Sequence, residues 1–302
     1  MLEGSGPLPT RVEFFGNGYD VSDDVIVAGT PRNDGLILYG ADGTQRQIAV
    51  HGIFGLGRPS LSPDARFVVV QATETPIAPD SPMPKFLTDY VIDLSNGNAR
   101  RLVPPGTREF AEGRELPRWL STGDRILYQT NDFSGGRQAG CDIVRVVDAN
   151  TGATLLTIGA SGPSGCFTPN PTTGPRFHAE PSLDGTKILI PGQMQIYDAT
   201  TGQLLTDLRR QTLDGLAAAG YRPDTRFPGQ GNGGTFPLDG SISPDGRTVT
   251  FDGAVEKDGQ FGVLLCRINV DGTGFTVVRP PVQVMPMFSN NHNYSQVLPH
   301  WR

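Results

Sequence analysis

Gly240-Ser-Ile-Ser-Pro-Asp-Gly-Arg-Thr-Val-Thr-Phe251 is the stretch on which the fold turns. A short strand runs into Ser-Pro-Asp-Gly and leaves as a β-branched run. Proline presets φ for the turn, the aspartate carboxylate bonds nearby backbone, and glycine supplies φ > 0 without steric cost. The flanking Val and Thr residues suit a half-buried pleated strand. Outward from it the same unit recurs as Arg58-Pro-Ser-Leu-Ser-Pro-Asp-Ala-Arg-Phe-Val-Val-Val70, as Leu116-Pro-Arg-Trp-Leu-Ser-Thr-Gly-Asp-Arg-Ile-Leu-Tyr128 and as Glu180-Pro-Ser-Leu-Asp-Gly-Thr-Lys-Ile-Leu-Ile190.

Each unit has a second signature, a strand that ends in a polar turn. These are Ile37-Leu-Tyr-Gly-Ala-Asp-Gly43, Val91-Ile-Asp-Leu-Ser-Asn-Gly97, Val146-Val-Asp-Ala-Asn-Thr-Gly152, Ile196-Tyr-Asp-Ala-Thr-Thr-Gly202 and Ile268-Asn-Val-Asp-Gly272. Gly with Asp or Asn at such turns is hairpin chemistry. The period of roughly 50–70 residues accommodates four short strands and their turns. Four-stranded sheets repeated radially make a β-propeller, which shields its strand edges by closing on itself. The sequence therefore predicts one all-β propeller domain over residues 1–302, with residues 1–7 read as a tag or linker.

The terminal Leu298-Pro-His-Trp-Arg302 matches Leu116-Pro-Arg-Trp119 and then stops. The remainder of that unit, from Asp23-Asp-Val-Ile-Val27 onward, lies at the other end of the chain. This predicts about five blades, closed by pairing the C-terminal strand with the N-terminal blade. Six is the alternative count if residues 8–20 belong elsewhere.

The Pro-x-Trp/Leu-Ser-Pro-Asp-Gly segments resemble the TolB-like, WD-related propeller repeat over nearly the whole chain. Three copies depart from it: Ala65 stands for the turn glycine, Leu120-Ser-Thr-Gly123 replaces Ser-Pro-Asp-Gly, and the Glu180 copy is shorter. The resemblance implies the fold. It also implies a non-catalytic protein–protein interaction module as one reading of function, although propellers host binding modules and enzymes alike.

Composition agrees with an all-β chain. The 39 glycines and 26 prolines show no collagen-like period and fall between apolar runs, so they read as turns. A net charge of −6 with no basic stripe leaves nothing to neutralise phosphates, which argues against nucleic acid. No apolar run approaches the roughly 18 residues of a membrane span. A monomer is expected. Cys141, Cys166 and Cys266 cannot all pair within the chain. Cys141 with Cys166 is the plausible disulfide, and it would imply a periplasmic or secreted location. Cys266, inside Val263-Leu-Leu-Cys-Arg-Ile268, reads as a core thiol.

With strands lettered a to d from the axis outward, the a–b and c–d turns are tight and share one face. The b–c and d–a connections lie on the other face and include long stretches such as 72–84, 131–140, 159–177 and 209–239. Long connections in a compact domain tend to carry function. Three of the four histidines, His51, His178 and His292, precede innermost strands on that face. If they converge, three imidazoles with an open position would suit a divalent transition metal such as Zn, Cu, Fe or Mn. Glu180 and Glu115 are then the candidate catalytic carboxylates, and Phe54, Phe177 and Tyr294 the candidate ligand contacts. Such a site would support a metal-dependent lyase, hydrolase or oxidase acting on a small or oligomeric substrate. The bland alternative is that scattered loop histidines are surface residues and the same face docks a protein. No nucleophile elbow, P-loop, dinucleotide fingerprint or Cys-x-x-Cys occurs.

Overall fold

A computed structural model describes residues 19–22, 25–30, 34–57, 59–77, 88–102, 117–132, 141–159, 179–224 and 239–282. Strands dominate and form five antiparallel sheets. The first contains β1 (Tyr19–Ser22), β2 (Val25–Gly29), β3 (Gly35–Gly40) and β4 (Gln45–Ala49). The second contains β5 (Ser60–Leu61), β6 (Phe67–Ala72), β7 (Thr88–Asp93) and β8 (Ala99–Arg101). The third contains β9 (Arg118–Trp119), β10 (Arg125–Asp132), β11 (Cys141–Asp148) and β12 (Thr154–Ile158). The fourth contains β13 (Glu180–Pro181), β14 (Lys187–Ile190), β15 (Gln195–Asp198) and β16 (Leu204–Asp207). Helix α1 (Arg209–Ala218) and the short β17 (Arg222–Pro223) come next, and then β18 (Asp239–Ile242), β19 (Thr248–Lys257), β20 (Gln260–Asn269) and β21 (Thr276–Val282) complete the fifth sheet. Each sheet is a blade of a five-bladed β-propeller. The chain divides into two compact units, 1–131 with 144–155 and 132–143 with 156–302.

The repeat signature is visible atom by atom. In the a–b turns, Ser62 Oγ donates to Asp64 Oδ1 and accepts from Phe67 N–H; Ser182 does the same with Asp184 and Lys187, and Ser243 with Asp245 and Thr248. Serine thus closes the turn and starts strand b in one step. Where glycine is missing, Ala65 still adopts φ 52, held by its N–H bond to the Ser62 carbonyl. The c–d turns use Asp93, Asp148 and Asp198 as carboxylate acceptors for residues two or three positions further on.

Those c–d turns also join sheet to sheet. A Cβ on Gly97 would overlap the Ala49 carbonyl oxygen at the end of β4, and one on Gly152 would overlap the Leu102 carbonyl oxygen beyond β8. In the second unit, a Cβ on Gly202 would fall 2.7 Å from a methyl of Leu156 in β12. Each turn therefore seats its glycine against the outer strand of the preceding sheet. The Arg100 guanidinium reinforces one such junction by donating to the Ala149 carbonyl oxygen.

Apolar side chains fill the layers between sheets. Strand alternation sends Val68, Val70, Tyr90 and Ile92 of the second sheet toward the first, where they meet Val27, Leu36 and Ile48. The opposite face sends Val69, Val91 and Leu102 against Trp119, Ile126, Tyr128 and Val147 of the third. In the second unit, Leu189 and Ile196 pack with Val249, Phe251, Leu264 and Ile268.

Two expectations are corrected. The innermost strand of the first sheet is β1, a local hairpin partner of β2 with Tyr19 opposite Ala28 and Ser22 opposite Val25. A hairpin closes with far less chain entropy than a join between the two ends, so the place reserved for the C-terminal strand beside β2 is already taken. Residues 298–302 themselves lie outside the described residues. The second correction concerns 209–239, which is not all loop. Leu208, Thr212 and Leu216 recur at helical spacing and are buried, and Gly220 at φ 81 ends the helix.

Candidate functional site

The two ends of the sheets differ in kind. At the turn end the described connections are all short and follow a few recurring patterns. At the other end, strand b leads into connections as different as 73–87, the 3-10 turn Pro191–Gln193, and the two residues between β19 and β20.

In the second sheet the connecting end is pinned to the preceding segment. Phe54 N–H donates to the Thr73 carbonyl (2.7 Å) and Thr73 N–H returns to Phe54 (3.0 Å). Tyr90 Oη donates to Glu74 Oε1 at 2.9 Å. Burial first, then Glu74, pushes the Tyr90 phenol up to about 12, so it stays a neutral donor.

In the fifth sheet the connecting end is extended. β18 pairs with β19 only from Val249 to Asp252, whereas β19 and β20 stay paired out to Lys257 and Gln260. The unpaired-for remainder of β19 would project about 17 Å at the usual rise per residue. It is braced rather than loose. β17 pairs with it, placing Arg222 opposite Glu256 and Pro223 opposite Val255, and Asp224 N–H donates to the Ala254 carbonyl (3.0 Å). The exposed Arg222 guanidinium reaches the buried Glu256 carboxylate, whose other oxygen accepts from Gly259 N–H at 2.6 Å. Lys257 Nζ lies 4.8 Å from the Tyr221 ring centroid. The tip is Asp258 (φ 53) and Gly259 (φ 75), a left-handed pair that gives the turn whose twist matches a hairpin. Neither this extension nor α1 was read from the sequence, although Asp258-Gly259 between alternating apolar residues is a hairpin signal.

The candidate metal ligands do not come together among the described residues. His51 is exposed, and its backbone N–H donates to the Gly97 carbonyl (3.2 Å) in a parallel bridge with Asn98. That places it beside the c–d turn of the second sheet. His178, His292, Glu115, Phe177 and Tyr294 lie outside the described residues, as does Cys166. Glu180 is buried on β13, with its Cα opposite Leu189. Phe54 is half-buried in the bridge to Thr73. Among the described residues no group of three or more His, Cys, Asp or Glu side chains is placed to hold a metal ion. Cys266 is the expected core thiol, fully buried and free, and burial pushes it up to about 12.

The repeated aspartates are turn formers, as read from the sequence. The Thr44 hydroxyl holds Asp42 below its ordinary value; Ser62 does so for Asp64, Ser95 for Asp93, Ser243 for Asp245 and Thr273 for Asp271. The Thr151 N–H does the same for Asp148. A general acid at neutral pH needs a shift in the opposite direction.

No family model matches the chain, and no curated protein matches it. Solved structures do. TolB from Acinetobacter baumannii is 15% identical over 85% of this chain and 52% of that one, at a TM-score of 0.47, so the chain spans about half of that protein. A putative TolB from Agrobacterium tumefaciens is 12% identical over 86% and 79%, at 0.48. Hydrazine synthase from Kuenenia stuttgartiensis is 12% identical over 92% and 70%, at 0.51. Identities this low speak to fold alone. Five antiparallel sheets built on a recurring turn make the chain, by fold, a β-propeller.

Proposed function

We propose that this propeller is a non-catalytic docking module that binds a protein partner at the connecting end of its sheets, with the β19–β20 extension as part of the contact surface. The observation that carries the reading is the extension itself. A blade is complete where β18 stops pairing, yet five further residues of β19 are built, braced by β17 and capped by a tight turn. The extension buries Val255 in the same apolar cluster as Leu264 and presents Arg222, Lys257, Asp258 and Gln260 to solvent on a rigid frame. Rigid presentation reduces the ordering cost of binding. The described repeat carboxylates support the same reading, because their hydrogen bonds go to turns.

The test is site-specific photo-crosslinking in the native host. A benzophenone side chain is placed at Gln260 on the extension and, as control, at Thr200 in a c–d turn of the fourth sheet. The reading expects a discrete adduct from Gln260 and none from Thr200. Equal labelling from both positions, or no adduct from Gln260, overturns it. Elemental analysis of the purified protein addresses the metal-dependent alternative: near-stoichiometric metal that disappears in the His51→Ala/His178→Ala/His292→Ala variant would replace docking with that chemistry.

A further inference from the structure

The layer between the second and third sheets is apolar around Val69, Val91 and Leu102, but it is not apolar throughout. Alternation along β6 sends Val68, Val70 and Ala72 to one face and Val69, with Gln71, to the other. Alternation along β7 sends Asp89 to that same face, beside Val91, and Gln71 and Asp89 are direct Cα partners across the two strands. Ser60, the Cα partner of Val69, faces the layer too, because its Oγ accepts from Trp119 N–H at 3.2 Å. From the third sheet, Trp119 and Tyr128 point back into it. The result is a set of polar side chains, Ser60, Gln71, Asp89, Trp119 and Tyr128, closed inside a hydrophobic layer, with Gln71 3% exposed and Trp119 7%.

Two of these groups are donors with no partner among the described residues: Gln71 Nε2 and Trp119 Nε1, both removed from solvent. A buried donor left unmet costs about 1–3 kcal/mol, and natural proteins tolerate few of them. Asp89 offers the opposite character, since an ionised carboxylate has roughly four acceptor sites and no donor. One small molecule satisfies both sides. Water accepts from the amide and indole N–H groups and donates to the carboxylate, which is the two-to-four-partner environment of an internal water.

We propose that the second and third sheets enclose a structural water site lined by Gln71, Asp89 and Trp119. A neutral hydroxylic molecule is the chemical class that fits. A bare cation would leave both N–H donors unmet. The assignment survives rotation of the Gln71 amide, because water then donates to the carbonyl oxygen instead.

The chain has two tryptophans, so the test has two indole signals to separate. In 15N-labelled protein, Trp301→Phe identifies the Trp119 indole N–H. That N–H is expected to exchange slowly with D2O and yet to show cross-peaks at the water frequency of opposite sign in NOESY and ROESY spectra, the mark of a bound water rather than of exchange. Gln71→Leu should weaken those cross-peaks several-fold. A slowly exchanging indole with no water cross-peak overturns the proposal, and so does rapid exchange with bulk solvent. Both readouts come from the Trp301→Phe chain alone, so the proposal stays testable if Gln71→Leu fails to fold.

Discussion

Gly97→Ala and Gly43→Ala form a pair that separates two costs. Both residues sit in c–d turns at positive φ, 74 and 82. An L-residue forced into the left-handed region loses about 1–2 kcal/mol, and that charge is common to both variants. The surroundings differ. The Gly43 Cβ would meet nothing within 4 Å, whereas the Gly97 Cβ would overlap the Ala49 carbonyl oxygen and touch Ile48. The obstruction is backbone, which cannot swing aside as a long side chain does. Overpacking of this kind costs about 1–3 kcal/mol. Gly43→Ala should therefore destabilise by about 1–2 kcal/mol and Gly97→Ala by about 2–5. At about 2–4 °C per kcal/mol, Gly97→Ala should melt a further 2–12 °C below Gly43→Ala. Thermal unfolding followed by circular dichroism, with a urea titration to check that the m-value is unchanged, measures the gap. Equal losses for the two variants would refute the idea that the turn glycine is a seat between sheets.

Acid should loosen the turns first. Asp64, Asp93, Asp148 and Asp245 have folded values below the ordinary 3.8, so their contribution is present above that pH and fades as pH falls through the folded values. Melting temperature should hold down to about pH 4 and fall steeply below it, less steeply in Asp64→Asn. Cys266 should resist thiol reagents at pH 8 in the folded protein and react only on unfolding, because its thiol is buried and pushed up to about 12. Arg222→Ala should raise deuterium uptake across residues 253–262 with little change in global melting, since the guanidinium is mostly exposed but braces the extension. Unchanged uptake would mean that β17 alone holds it.

What the sequence made legible is what repeats. Ser-Pro-Asp-Gly and Asp-x-x-x-Gly turns recur because the same hydrogen bonds recur, and each copy corroborates the others. The blade count followed from that. What stayed hidden occurs once. α1 has its apolar spacing at Leu208, Thr212 and Leu216, but a threonine in the middle position and two adjacent arginines blur the stripe. The β19–β20 extension hides because its residues read like any strand, and only the change of pairing partner from β18 to β17 marks it off. β1 was missed because Tyr19-Asp-Val-Ser22 lacks the repeat signature. Its hairpin with β2 fills the place that the repeat pattern gave to the C-terminal strand. Of the candidate site, Glu180 and Phe54 were placed in strand-paired positions and His51 beside an outer turn. Residues drawn from separate connections carry no shared spacing from which convergence could be read.

The innermost strands carry a consequence for how such a chain could have arisen. Asp20 Oδ2 accepts from Leu61 N–H at 2.7 Å, and Ser60 Oγ accepts from Trp119 N–H at 3.2 Å, so the first two inner strands each meet the next through one side chain. By turn register Arg118 holds the Asp20 and Ser60 position in the third sheet, and arginine has no acceptor to offer. By the same register the fourth sheet carries Pro181 where the second and third have Leu61 and Trp119, and proline has no N–H. The blades, though descended from one pattern, have become sequentially keyed. A chain with its second and third repeats exchanged would keep every turn motif yet set the Leu61 N–H against an arginine. Duplication can build such a ring, but shuffling can no longer rearrange it.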